Sequence, residues 1–226
     1  MVHHARLVAT RVPDRPAGAV VVLHGGASRR DSVRVSPTQL SVLRMLPFAG
    51  RIAAAGRGRL AVFRLLNSSR GWDTRHTPVD DVVWALGELR ERFGAELPTC
   101  LVGHSLGGRA ALLAAGQPQV RSAVALAPWV YESDGLGLDL SGRRVLVVHG
   151  DRDRIASPDR SAVVARHLRR TAEVGYVRVA GGRHAMLRHG RTFERVATDF
   201  VAATLLDRPP RPPVRDVLGG ADLVEV

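Results

Sequence analysis

The chain has no lysine, one cysteine (Cys100), one asparagine (Asn67) and two isoleucines (Ile52, Ile155) in its 226 residues. Each shortage excludes something. A lone cysteine cannot form an intramolecular disulfide, and it leaves no thiolate cage for a metal. The apolar runs, of which Ala19 to Leu23 is typical, are too short to span a bilayer. The first residues, MVHHARLVATRVPDRP, lack the apolar stretch of a secretory signal, so the expected location is the cytoplasm. Lysine, asparagine and isoleucine share A/T-rich codons, which makes a G+C-rich coding sequence the simpler account of their scarcity.

What is there instead is arginine. All 33 basic residues are arginine, against 21 acidic residues, for a formal net charge of +12. Charge of this size is the usual footprint of a nucleic-acid binder. The arginines are scattered, however, apart from pairs such as Arg29-Arg30 and Arg169-Arg170. Scatter and codon bias together favour a solvated basic surface over a nucleic-acid interface. With 45% hydrophobic residues the chain is too apolar to be disordered, and its length suits one domain.

Short apolar runs alternate with stretches of helical period. Strands are expected at Arg6 to Thr10, Ala19 to His24, Leu60 to Leu66, Thr99 to Val102, Val120 to Leu126, Arg144 to Val148 and Gly175 to Val179. Near-continuous runs such as AVVVL and RVLVV have no polar face, as befits parallel strands covered on both sides. Ser36-Pro37, Thr77-Pro78 and Ser157-Pro158 each place a capping hydroxyl before a proline, a helix-start signal. The helix from Pro78 would turn Val79, Val82, Val83, Leu86 and Leu89 inward, with Asp80 and Asp81 near its positive end. The expected fold class is therefore α/β: a mostly parallel, doubly wound sheet of about seven strands flanked by helices, over residues 1–206. Residues 207–226 open with DRPPRPP, which cannot continue a helix, and are expected to form a flexible tail.

The chemistry concentrates in GHSLGG, Gly103 to Gly108, between a strand and a helix. Gly-x-Ser-x-Gly in that context is the spacing of a nucleophile elbow. Small neighbours allow a strained serine conformation, and the helix start offers backbone N–H groups to an oxyanion. Ser105 is the candidate nucleophile. A serine needs a base, and the base an orienting acid. Downstream, Asp153 follows the strand RVLVV, and His184 follows GYVRV in the loop AGGRHAM. The order Ser105, Asp153, His184, each after a strand, suits convergence at one end of a parallel sheet. Asp151 and His189 are the alternative acid and base. His24, His104 and His149 read as structural. Upstream, the turn His24-Gly25-Gly26-Ala27 can supply one oxyanion N–H, from Gly26 or Ala27, and Leu106 the other.

As a set, HGG, GHSLGG, HGDRD and GGRH resemble the α/β-hydrolase superfamily from about Val20 to Leu206. Within it the chain looks like the small esterases and dienelactone-hydrolase-like proteins. The resemblance implies a serine that is acylated and then hydrolysed, with no metal and no organic cofactor. A serine rather than an aspartate at the elbow speaks against dehalogenase or epoxide hydrolase chemistry. Only some fifteen residues, from Trp129 to Arg143, stand where many relatives insert a helical cap, so no cap domain is expected. Trp129 and Tyr131 would then line the rim or acyl pocket of an open site, and Ala27 is a further candidate substrate contact. The expected substrate is a small-molecule ester or thioester, and the net charge would favour an anionic one. Lactone opening, C–C bond hydrolysis, acyl transfer on the same residues and a non-catalytic binding module are the alternatives.

Overall fold

Strands without a polar face must be covered on both sides, and here they are. The computed structural model describes residues 5–26, 35–73 and 75–226. In chain order they form β1 (Arg6–Arg11), β2 (Gly18–Leu23), α1 (Leu40–Leu43), α2 (Leu46–Ala55), β3 (Leu60–Leu66), α3 (Thr77–Phe93), β4 (Thr99–His104), α4 (Leu106–Leu113) and β5 (Val120–Leu126). A 3-10 turn (Glu132–Gly135), β6 (Arg144–Gly150), α5 (Pro158–Leu168), β7 (Glu173–Val179), α6 (Gly190–Leu206), α7 (Val214–Leu218) and β8 (Val224–Glu225) follow.

All the strands join one sheet in the order β1-β3-β2-β4-β5-β6-β7-β8, and β1 alone runs antiparallel to its neighbour. Alternate side chains of each strand feed opposite cores. Val21, Leu23, Leu101 and Ala125 pack with Val82, Leu86 and Leu112 of α3 and α4. Val20, Val22, Val102 and Val124 pack with Phe48 and Ile52 of α2 and with Phe193 and Phe200 of α6. This is the doubly wound arrangement. It places the loops after β2, β4, β6 and β7 on one edge, and no cap covers that edge between β5 and β6.

The details depart from expectation where long-range contacts outweigh local signals. The segment at Ser36-Pro37 forms a turn, with Ser36 Oγ accepting from the Thr38 amide at 3.3 Å, and the helix starts only at Leu40. Ser157 does cap α5, accepting from the Arg160 amide. In α3 the expected inward Val83 is 41% exposed, while Asp81 is fully buried. Asp81 accepts from the Ser68 amide and hydroxyl at 2.8 and 3.1 Å, so it ties the loop after β3 instead of serving the helix dipole alone.

The chain after Leu206 does not leave the body. Asp207 ends α6 in the left-handed region, and α7 then buries Val214 and Val217. Val217 docks on β7 at Gly175, where a Cβ would lie 2.6 Å from the Val217 Cβ. Val224 and Glu225 add an eighth strand, in parallel register with Val177 and Arg178. Two residues are too short a run to be legible as a strand. Among the described residues no helix is long and apolar enough to cross a membrane.

Candidate active site

β4 ends at His104, and Ser105 occupies φ 54°, ψ −116°, a region costly for any side chain. Both its backbone groups are tied: its amide donates to Leu126 O at 2.9 Å, and its carbonyl accepts from the Trp129 amide at 3.1 Å. These bonds to β5 and to the loop beyond it hold the sharp turn, which aims the hydroxyl over the sheet's carboxyl edge. The Ser105 hydroxyl lies 2.9 Å from His184 Nε2, and His184 Nδ1 lies 2.8 Å from Asp153 Oδ2. The sheet therefore brings together three residues separated by up to 79 positions.

The Asp153 side chain is fully buried. Its Oδ1 accepts from the amides of Ile155 and Ala156 at 2.8 and 3.0 Å, and its Oδ2 faces two imidazoles, His184 and His149. Burial alone would raise its pKa. The hydrogen bonds from His149, His184 and the two amides overcome that and hold the carboxyl well below the usual range. Asp151 is exposed, and no bond joins it to His184. His189 sits at the N-terminus of α6, with its ring beside Gly181.

Two other histidines brace the site. His24 Nδ1 donates to Gly25 O at 2.6 Å, and its Nε2 accepts from the Asn67 amide at 3.2 Å, so one neutral tautomer satisfies both. Burial lowers its pKa, in keeping with that. His104 Nε2 donates to the His184 carbonyl at 2.9 Å and so fixes the backbone of that loop. Burial, with the charges of His184 and Arg44, pushes His104 down to about 3. Gly26 is packed against the elbow: a Cβ there would lie 2.5 Å from Arg70 O and 2.9 Å from Leu106 Cδ1. Leu106 opens α4, directly after Ser105. Ala27 lies outside the described residues.

Trp129 and Tyr131 meet edge to face, 5.2 Å between centroids, and Tyr131 is 48% exposed. Behind them stands a residue the sequence reading passed over. Arg109, buried in α4, donates through Nε and Nη2 to Asp134 at 2.7 and 2.8 Å. Its guanidinium lies 4.0 Å from the Trp72 ring centroid, 4.8 Å from Tyr131 and 5.9 Å from Trp129. Asp134 also accepts from the Tyr131 amide at 2.8 Å. One buried ion pair thus clamps the aromatic loop onto the elbow helix. The available signal was a single arginine in the otherwise apolar GGRAALL. Arg109→Met would leave Asp134 buried and unpaired, at a cost of about 3 kcal/mol, read as a lowered urea midpoint. Arg109→Lys should recover little, because lysine can neither fork onto a carboxylate nor stack on the rings.

Two clefts flank the loop 151–156. One, of about 690 Å³, is lined by Arg152, Arg154, Arg183 and His184 together with Asp151 and Asp153; the other, of about 680 Å³, by Trp129, Arg154, Arg160 and Arg178 together with Asp151, Asp153 and Asp159. Among the described residues no group of three or more His, Cys, Asp or Glu side chains is placed to hold a metal ion.

No protein-family model and no curated protein matches the sequence. Solved structures do match in three dimensions. Est1E from Butyrivibrio proteoclasticus superposes with a TM-score of 0.64 at 14% identity, over 89% of this chain and 94% of that one. An alpha-beta serine hydrolase homologue from Coxiella burnetii gives 0.62 at 18%, over 86% and 90%. EstE1, a carboxylesterase cloned from a metagenomic library, gives 0.67 at 17%, over 89% and 84%. The chain has the α/β-hydrolase fold. At these identities the likeness speaks for the fold. What this chain does must be argued from the residues at the carboxyl edge of its sheet.

Proposed function

We infer that the protein is a serine hydrolase that cleaves a carboxylic ester or thioester through an acyl-enzyme. The observation that carries this is the continuous chain from the strained Ser105 hydroxyl through His184 to the buried, ionised Asp153. Ser105 Oγ attacks the carbonyl carbon while His184 Nε2 takes its proton. Asp153 holds the ring and stabilises the imidazolium. The backbone N–H groups of Gly26 and Leu106 receive the oxyanion. As the tetrahedral intermediate collapses, His184 returns the proton to the leaving oxygen or sulfur. Water then attacks the acyl-enzyme by the same route, and Ser105 is regenerated. Trp129 and Tyr131, with no cap above them, would form an open acyl wall. Neighbours named as esterases support an ester as the bond cleaved.

A panel of p-nitrophenyl esters and acyl-CoA thioesters of rising chain length tests this, with Ser105→Ala as the blank. Turnover above the blank is expected, with a maximum at one chain length. Equal rates for both proteins across the panel would sink the assignment.

The leaving group must pass His184, since His184 protonates it. Arg152, Arg154 and Arg183 line the cleft on that side and outnumber its carboxylates, the exposed Asp151 and the buried Asp153. An anionic leaving group is therefore expected to be favoured, and the preference should be screened by salt. Between about 20 and 200 mM NaCl, kcat/KM for an anionic ester should fall several-fold while that for a neutral ester stays level. Parallel behaviour of the two substrates would reduce the arginines to bystander composition.

A further inference from the structure

Asp153 carries one histidine more than a triad needs. His184 Nδ1 and His149 Nε2 lie 2.8 and 3.1 Å from the same oxygen, Oδ2, while Oδ1 is filled by two amides. An ionised carboxylate only accepts, so both rings present an N–H to that oxygen; the His149 N–H is shared with the Ala156 carbonyl, 3.2 Å from Nε2. His149 stands at the end of β6 with no exposed surface. Its other nitrogen, Nδ1, lies 2.8 Å from Ser161 Oγ on α5. With the proton on Nε2, Nδ1 is an acceptor within reach of the Ser161 hydroxyl, which also lies 2.8 Å from Pro158 O; given to Nδ1, it leaves Pro158 O to the Tyr176 hydroxyl. The Tyr176 hydroxyl of β7 then donates to Ser161 Oγ at 3.0 Å or to Pro158 O at 3.1 Å. Each hydroxyl and ring nitrogen in this relay has a partner when His149 is neutral. The tautomer that satisfies the relay is also the one that serves Asp153.

We propose that His149 is a positioning residue for the active site, donating to the carboxylate oxygen that His184 also uses and tempering that oxygen's pull on the His184 imidazolium. This rests on the triad assigned above. A carboxylate that shares its charge among four donors holds each proton less tightly than one with three. His184 is then kept in register by Asp153 without being locked in the protonated form, which cannot act as a base. The relay supplies the rigidity, because Ser161 and Tyr176 leave His149 one orientation and so leave Asp153 one rotamer.

The other charged groups around this cluster are Arg178 of β7 and Asp159 of α5, both felt by Tyr176, His104 at the end of β4 with Arg44 acting on it, and Asp151, Arg152, Arg154 and Arg183, which line the cleft with His184. Burial pushes the Tyr176 phenol up and His104 down, so neither changes charge near neutral pH.

The test is the His184 midpoint, followed by ¹⁵N NMR of the imidazoles in the full-length protein and its variants. No substrate is required. His149→Leu removes the donor and should raise the His184 midpoint by about one pH unit. His149→Gln, whose amide N–H reaches a similar place, should restore most of the difference. Ser161→Ala leaves His149 in position but takes away the donor that pins its tautomer. It should shift the midpoint in the same direction by less, and it decides the matter if His149→Leu does not fold. A midpoint that stays put or falls in the folded variants overturns the proposal. Ester turnover and its loss in Ser105→Ala are measured separately. Failure there removes the hydrolase assignment while leaving the His149–Asp153–His184 coupling to stand or fall on the NMR.

Discussion

Ser105→Ala is expected to lose fluorophosphonate labelling completely and to cut ester turnover by about 10⁴- to 10⁶-fold. The probe forms a phosphonyl ester only with an activated hydroxyl, expelling fluoride, so labelling reports the nucleophile and not mere binding. In the folded chain the hydroxyl lies 2.9 Å from His184 Nε2, and His184 Nδ1 lies 2.8 Å from Asp153; on the function proposed above, His184 activates the hydroxyl and Asp153 orients the ring. The substitution keeps the Cβ, leaves both backbone hydrogen bonds of residue 105 in place and removes one buried oxygen. The protein should therefore stay folded, with an unchanged urea midpoint to within about 0.5 kcal/mol. That pairing of intact stability with lost labelling separates a chemical role from a structural one. Labelling that persists in Ser105→Ala would mean another nucleophile reacts. Wild-type protein that never labels would remove serine hydrolysis altogether.

The fold was legible because parallel strands buried on both faces write themselves as unbroken Val, Leu and Ala runs. Seven strands were expected and all seven are present; the exception to that pattern is β1, RLVATR, which runs antiparallel at the sheet's edge and is largely exposed. The site was legible for a related reason. In a parallel sheet every candidate loop follows a strand on the same edge, so motif order alone predicts that Ser105, Asp153 and His184 lie near one another. What did not show was anything decided by contacts across many residues. Asp153 and Asp151 share a loop and differ only in which one faces inward under the amides of Ile155 and Ala156. His149 reads as a strand end, and its bond to Asp153 depends on α5 supplying Ser161 from behind. Arg109 looks out of place in an apolar helix until Asp134 and the three aromatic rings are seen around it. The proline-rich end reads as a tail, yet Val214 and Val217 find a groove that Gly175 opens in β7. In each case local sequence gives the residue's type, while its partner lies on another element.

The second large effect concerns Gly103. Gly103→Ala is expected to destabilise the protein by on the order of 5 kcal/mol, beyond the ~1–3 usual for overpacking. A Cβ there would lie 2.0 Å from Gly107 O, 2.3 Å from the Gly107 carbonyl carbon and 2.7 Å from the Gly108 nitrogen. All three atoms are backbone, in the first turn of α4, so no side chain can rotate away. Nor can the helix retreat freely, because a Cβ on Gly107 would itself meet His24 O at 2.5 Å and Leu23 O at 2.7 Å. β4, α4 and β2 are thus stacked with nothing but hydrogen at the contacts, and the elbow exists because they are. Gly87, in the middle of α3, is the control: a Cβ there meets nothing within 4 Å. Gly87→Ala should stabilise by about 0.5–1 kcal/mol through helix propensity alone. Urea melts of the two variants should move in opposite directions. A Gly103→Ala protein with a near wild-type midpoint would mean that α4 can slide away from β4. The strained Ser105 geometry, and with it the aim of its hydroxyl at His184, would then need another support.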